Sequence, residues 1–226
     1  MQVNKILVEK IINKYKSFPV RINKISYDQK SGKVKELMEF YDLNLQLLET
    51  MGFFKGKTTL YPLNGLDILP AKYGRILSVD KNIFHSTPWH IINSSTIKEI
   101  KGNYFKETMS IVEITKSMFE QNRISNLFLK GFSEYYESNQ GDQEAMRLKY
   151  FALGKICAYL PRESHVVLWG KDIFELSQIF LNEHFKEIYK LPFEVKEIAI
   201  NGIGRFETEY YVDFMISSIF QLLQRK

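Results

Sequence analysis

The segment His165-Val166-Val167-Leu168-Trp169-Gly170 most restricts what this chain can fold into. Its Val-Val-Leu run is apolar on both faces and ends at a glycine. A strand of that kind needs cover on both sides, as in the centre of a sheet flanked by helices. The neighbouring pattern agrees. Strand-like runs in TTLYPLNG from Thr58, with Pro62, Asn64 and Gly65 as breakers, and at Arg75–Asp80, Asn126–Phe132 and Phe193–Asn201 alternate with helical periodicity over 142–160 and 172–190. Strands alternating with helices predict an α/β fold with a doubly wound, mostly parallel sheet and right-handed connections.

The helical predictions are specific. Val34, Leu37, Met38, Tyr41, Leu45 and Leu48 share one face, and Gly52 is a natural stop. Ile97 and Ile100 follow the potential caps Ser94, Ser95 and Thr96. Met109–Phe119 is ambiguous between helix and strand, with Ile111, Ile114, Met118 and Phe119 favouring a helix, and 142–160 turns Ala145, Leu148, Ala152, Ile156 and Tyr159 inward. A last helix is expected from Tyr210 to about Leu223. The first fifty residues, with a short extended piece and a Ser-Gly turn over 18–32, read as a helical cap. The expected division is a cap over 1–56 and an α/β domain over 57–226, forming one compact unit.

With 226 residues, 45% of them hydrophobic and 14% aromatic, the chain can bury a large core. A single cysteine, Cys157, excludes an internal disulfide and fits a reducing cytoplasm; its apolar neighbours point it into the core. The N-terminus lacks the apolar block and cleavage site of a signal peptide. No window approaches the roughly 18–20 apolar residues of a membrane helix. A net charge of +5 has two readings, attraction to nucleic acid or lysines scattered over solvated faces.

In such sheets the ligand lies beyond the carboxyl ends of the strands. The first turn here is Tyr61-Pro62-Leu63-Asn64-Gly65-Leu66-Asp67, and the next strand ends at Asp80, 15 residues after Gly65. That is short of the roughly 20 residues of a dinucleotide fingerprint, and no G-x-G-x-x-G or P-loop is present. The turn reads either as a ligand cradle or as an ordinary Asn-Gly loop.

The segment LYPLNGLDILPAKYGRILSVD, Leu60 to Asp80, resembles the first two strands of class I S-adenosylmethionine-dependent methyltransferases. NLFLKGF and YFALGKICAYLPRESHVVLWG resemble the fourth strand and the helix and fifth strand after it. The resemblance implies S-adenosylmethionine as cofactor, held by Tyr61, Pro62, Asn64, Gly65, Asp67 and Asp80. Tyr61, Asn64 and Gly65 would line its methionine end, Asp80 would hold its ribose, and 81–84 would flank the adenine. Leu63 and Asn64 stand where the family usually has glycine. No Asn-Pro-Pro-Tyr or Asp-Pro-Pro-Tyr follows the fourth strand, which argues against the usual amino-methylation of a base.

Lys130, Phe132 and Tyr135, at or beyond the fourth strand, and Trp89 are the candidate substrate contacts. They offer a cation for an anion and rings for a planar group, or else the end of a strand and a loop packed on the core. His85 and His90 bracket HSTPWH at a spacing that matches no metal motif, and no metal is expected. His165 and His184 read as structural or surface residues. Glu207, Glu209 and Asp213 read as complementing a helix N-terminus. The competing functional expectation is a non-catalytic module with a basic surface that binds a protein or nucleic acid.

Overall fold

The computed structural model describes residues 6–7, 9–10, 39, 41–64, 67–81, 100, 102–130, 132, 143–162, 164–169, 176, 193–194 and 220–225. Seven strands form one sheet: β1 (Thr58–Pro62), β2 (Arg75–Val79), β3 (Tyr104–Glu107), β4 (Ile124–Lys130), β5 (His165–Trp169), β6 (Phe193–Glu194) and β7 (Phe220–Arg225). Their order is β3-β2-β1-β4-β5-β7-β6. The first five strands are parallel, while β7 runs antiparallel to both β5 and β6. The sheet is therefore of the expected Rossmann-like, methyltransferase type, with an antiparallel strand inserted beyond β5.

Burial explains why the inner strands are legible. All five residues of β1 are buried, as are Val166 to Trp169 in β5. Leu60, Leu77, Val79, Leu127, Leu129, Val166 and Leu168 join one core cluster with helix α2 (Lys116–Asn122) and helix α3 (Gln143–Tyr159), through Phe119, Leu153 and Ile156. The opposite face is aromatic. Tyr61 and Phe128 meet at 5.0 Å between centroids, and Trp169 lies 5.7 Å from Phe128. This face is covered by an N-terminal helix, α1, described over 41–50, whose Tyr41 meets Trp169 edge-on at 5.0 Å. Tyr41, Leu45 and Leu48 are buried, as their spacing predicts.

Gly52 ends α1 with φ +79°. The Phe53 amide donates to the Leu48 carbonyl at 3.0 Å and the Gly52 amide to Glu49 at 2.8 Å, which closes the helix by the paired bonds of a left-handed cap. Gly74 has a different role, because a Cβ there would lie 2.7 Å from the Cβ of Phe54. It lets the chain entering β2 pass directly against the aromatic layer.

Four expectations are corrected. The expected final helix includes 220–223, yet Phe220–Arg225 is strand β7. Phe-Gln-Leu-Leu-Gln-Arg fits either period, and β5, apolar on both faces, requires a hydrogen-bonded neighbour on its outer side. The expected helix over 109–119 divides into a 3-10 turn, Ile111–Glu113, and α2. Two capping residues cause the division: Ser110 forms a capping box with Glu113, and Thr115 accepts from the Met118 amide at 3.4 Å. In α3 the expected inward residue Leu148 is 48% exposed, while Lys149, Leu153, Cys157 and Leu160 are buried beside Ala152 and Ile156. The inward stripe lies one position further along than the spacing from Leu148 implies. Finally, β3 has no counterpart among the expected strands. Its alternating half-buried and exposed residues belong to a strand bordering only β2 among the described residues.

Expectations over 18–32, 93–99, 195–201 and 210–219, and for most of 172–190, lie outside the described residues; Leu176 is helical and buried. Replacement of Gly74 by Ala is expected to destabilise the fold by about 1–3 kcal/mol through overpacking on Phe54. Urea denaturation measures this, and a change within about 0.5 kcal/mol, the size of an ordinary surface substitution, would contradict the close approach.

Candidate functional site

Beyond the carboxyl end of β1 the chain needs a sharp turn, and Leu63 makes it in the left-handed conformation at φ +54°. Glycine adopts this conformation without penalty, whereas another residue incurs about 1–2 kcal/mol. The Leu63 amide is held by the Val79 carbonyl at 2.8 Å, tying the turn to the end of β2.

Side chains hold the rest of the turn. The Asn64 amide group donates to the Asp67 carbonyl at 2.9 Å and to the Tyr104 hydroxyl at 3.2 Å, while its oxygen accepts from Ser78 Oγ. Both amide hydrogens of Asn64 are thereby engaged. The Asp67 amide closes the turn onto the Asn64 carbonyl at 3.0 Å.

Asp67 is the hub. Its Oδ2 accepts from Tyr41 at 2.5 Å, from Tyr61 at 2.8 Å and from the Lys130 ammonium at 3.0 Å. Its Oδ1 accepts from the Leu69 amide at 3.2 Å, at the start of the 3-10 turn Leu69–Lys72. The Asp67 and Lys130 side chains are only 14% and 8% exposed. All four donors come from within the protein, three of them to Oδ2 and one to Oδ1. Lys130 also lies 4.8 Å from the centre of the Tyr41 ring.

Electrostatics follows burial. Burial, and then the Asp67 carboxylate, raise the Tyr41 hydroxyl well above its ordinary pKa. Burial is also the main cause that raises Tyr104, and the charges of both Asp67 and Asp80 add to it. Tyr104 thus feels the turn of β1 and the end of β2 together. Asp80 is buried at 5% exposure directly after β2, and its amide donates to the Glu107 carbonyl at 3.3 Å.

Of the residues singled out in the sequence, Tyr61, Asn64, Asp67 and Lys130 are thus joined in one network, with Asp80 beside it. Pro62 is buried at the end of β1. Phe132 is fully buried in the core cluster and carries the Lys149 ammonium 4.8 Å from its ring centre. His165, with its expected structural role, starts β5 and lies 3.3 Å from Lys57 Nζ through Nδ1. Gly65, Trp89, Tyr135, His85, His90, His184, Glu207, Glu209, Asp213 and the stretch 82–84 lie outside the described residues. Tyr41, Ser78 and Tyr104 are site residues that the sequence pattern does not single out. Each reaches the turn from another element, and only the helical register of Tyr41 hints at its inward aim.

Among the described residues no group of three His, Cys, Asp or Glu side chains could hold a metal ion, and no helix is long and apolar enough to cross a membrane. No protein-family model matches the chain, and no curated protein matches its sequence. Solved structures align over nearly the whole chain. The N-methyltransferase NodS from Bradyrhizobium japonicum WM9, in complex with S-adenosyl-L-homocysteine, is 9% identical, with 97% of this chain and 98% of that one covered and a TM-score of 0.45. Magnesium protoporphyrin IX methyltransferase from Synechocystis PCC 6803, with bound S-adenosylmethionine, is 11% identical over 98% and 96%, also at 0.45. An O-methyltransferase from Bacillus cereus is 11% identical over 99% and 92% at 0.37. These overlaps are loose, and the fold rests on the strand order of the chain itself.

Two outcomes test the hub. Lys130→Met leaves the buried Asp67 carboxylate without its counter-charge and is expected to cost about 3–5 kcal/mol in urea denaturation; a loss below about 1 kcal/mol, typical of exposed pairs, contradicts a buried pair. The second outcome is a pH dependence. The folded protein holds the Tyr41 proton more tightly than the unfolded chain, in which tyrosine titrates near 10.0. The resulting stability is complete below that pH and is lost as pH rises above it. In alkaline denaturation Tyr41→Phe is expected to lose stability less steeply above pH 10 than the wild type, and parallel curves would contradict the shift.

Proposed function

We propose that the chain is an S-adenosylmethionine-dependent methyltransferase with its cofactor seated beyond the carboxyl ends of β1 and β2. One observation carries this reading: the buried Asp80 directly follows Val79, whose carbonyl holds the amide of the left-handed Leu63 that leaves β1, in a sheet of methyltransferase type. The first five strands are parallel, so their carboxyl ends share one edge, where ligands of doubly wound sheets bind.

The donor set fits that cofactor. A carboxylate at the end of β2 accepts hydrogen bonds from a ribose diol, the role assigned to Asp80. Asn64 and Asp67 contribute differently, since their polar atoms are engaged within the protein. They shape the turn. Tyr61 and Pro62 support that turn from below, and Gly65 gives it a residue without a side chain.

When bound, the cofactor supplies an electrophilic methyl group on a sulfonium. The chain must then orient a nucleophile and exclude water, and positioning alone can supply much of the rate. Of the substrate contacts expected from the sequence, Lys130 is paired with Asp67 and Phe132 is buried in the core cluster, so neither is assigned a direct contact. Tyr135 and Trp89 are assigned to the substrate itself, which is a small molecule or a nucleic acid.

Thermal-shift and calorimetric titration of the whole chain with S-adenosylmethionine and S-adenosylhomocysteine tests the reading. A raised unfolding midpoint at millimolar ligand is expected, with Asp80→Ala abolishing at least about 1.4 kcal/mol, a tenfold loss in affinity. No shift in the wild type, together with identical behaviour of Asp80→Ala, would refute it. Nucleic-acid affinity that falls steeply with salt, without a response to the cofactor, would favour the basic interaction module.

A further inference from the structure

We infer that Tyr41 is a positioning residue of the cofactor turn, so that helix α1 is a working part of the site as well as a cover. This rests on the methyltransferase reading. Tyr41 is 26 residues from Asp67 in sequence, yet its hydroxyl makes the shortest of the three contacts to Asp67 Oδ2. The other carboxylate oxygen holds the Leu69 amide. A single carboxylate therefore links α1, β1 and β4 to the beginning of the 3-10 turn that leads to β2.

The backbone leaves β1 through the left-handed Leu63. A glycine-rich turn would reach that shape without help. Here Asn64 and Asp67 impose it through side chains, and Asp67 is itself held by donors outside the turn. Loss of the Tyr41 hydroxyl removes the donor that α1 supplies and leaves Oδ2 with Tyr61 and Lys130, while the phenyl ring can keep its place against Trp169 at 5.0 Å. The carboxylate is then held by three donors in place of four and is untied from α1, which loosens its hold on the Leu69 amide. Small displacements of a positioning group weaken binding and reaction strongly.

Tyr73 provides a matched control. Its hydroxyl also joins the 3-10 segment to α1, donating to Asp42 at 2.6 Å, but it does not belong to the Asp67 network. Two measurements on the full chain separate the possibilities: amide hydrogen exchange of Leu69 in ligand-free protein, and calorimetric affinity for S-adenosylhomocysteine. In Tyr41→Phe the Leu69 amide is expected to exchange at least about tenfold faster and the affinity to fall about fivefold to tenfold, as for one hydrogen bond to a charged group. Tyr73→Phe is expected to change neither by more than about twofold, as a change outside the network should.

Unchanged exchange in Tyr41→Phe overturns the inference, as does unchanged affinity. Equal losses in Tyr73→Phe also overturn it, because the effect would then be general loosening of α1. If the wild type binds no S-adenosylhomocysteine, the cofactor reading fails, and the positioning role in the reaction falls with it. Faster Leu69 exchange in Tyr41→Phe would in that case still show the link between α1 and the turn.

Discussion

One carboxylate oxygen, Asp67 Oδ2, receives Tyr41, Tyr61 and Lys130 at 2.5, 2.8 and 3.0 Å, and the carboxyl edge of the sheet is organised around it. Each donor arrives from a different element: the covering helix α1, the first strand and the fourth strand. Burial makes the arrangement consequential. A carboxylate with so little solvent requires its partners, and each partner loses solvation to reach it. The hub therefore fixes where α1 lies on the aromatic face and where the chain leaves β1.

The sheet gives the hub its setting. Parallel strands β1, β2 and β4 bring Tyr61, Ser78 and Lys130 to one edge and one face, since paired residues such as Tyr61 and Ser78 share a side. Tyr104 leans along that face from β3 to reach Asn64. On the opposite face, α2 and α3 bury an aliphatic layer. The two faces thus divide their roles. One is the principal aliphatic core, and the other combines an aromatic layer with the polar edge.

Much of this fold is legible because its inner strands are apolar on both sides, a pattern that Val166-Val167-Leu168 states openly. The edge elements are harder. Tyr-Phe-Lys-Glu in β3 alternates around a half-exposed strand and resembles a loop in composition, and Phe-Gln-Leu-Leu-Gln-Arg in β7 satisfies two periods at once. Pairing with β5, a tertiary event, decides the second case. The site is legible in part for a related reason. Asn64, Asp67 and Asp80 lie within one short segment and follow strands that can be recognised. The groups that complete it, Tyr41 and Tyr104, stand 26 and 40 residues from their partners, at separations no local pattern encodes. Asp67 stands out as a residue of the turn, but its engagement by four internal donors is a property of the folded chain alone.

Side-chain clamps, in place of glycines, shape the turn that we propose seats S-adenosylmethionine beside Asp80. A crystal structure of the full chain grown with S-adenosylhomocysteine tests it most directly. The ribose is predicted to lie within hydrogen-bond distance of the Asp80 carboxylate, with Leu63 still left-handed and Tyr41 still donating to Asp67. Ligand bound elsewhere on the protein, or bound with the Asp67 hub taken apart, would contradict it.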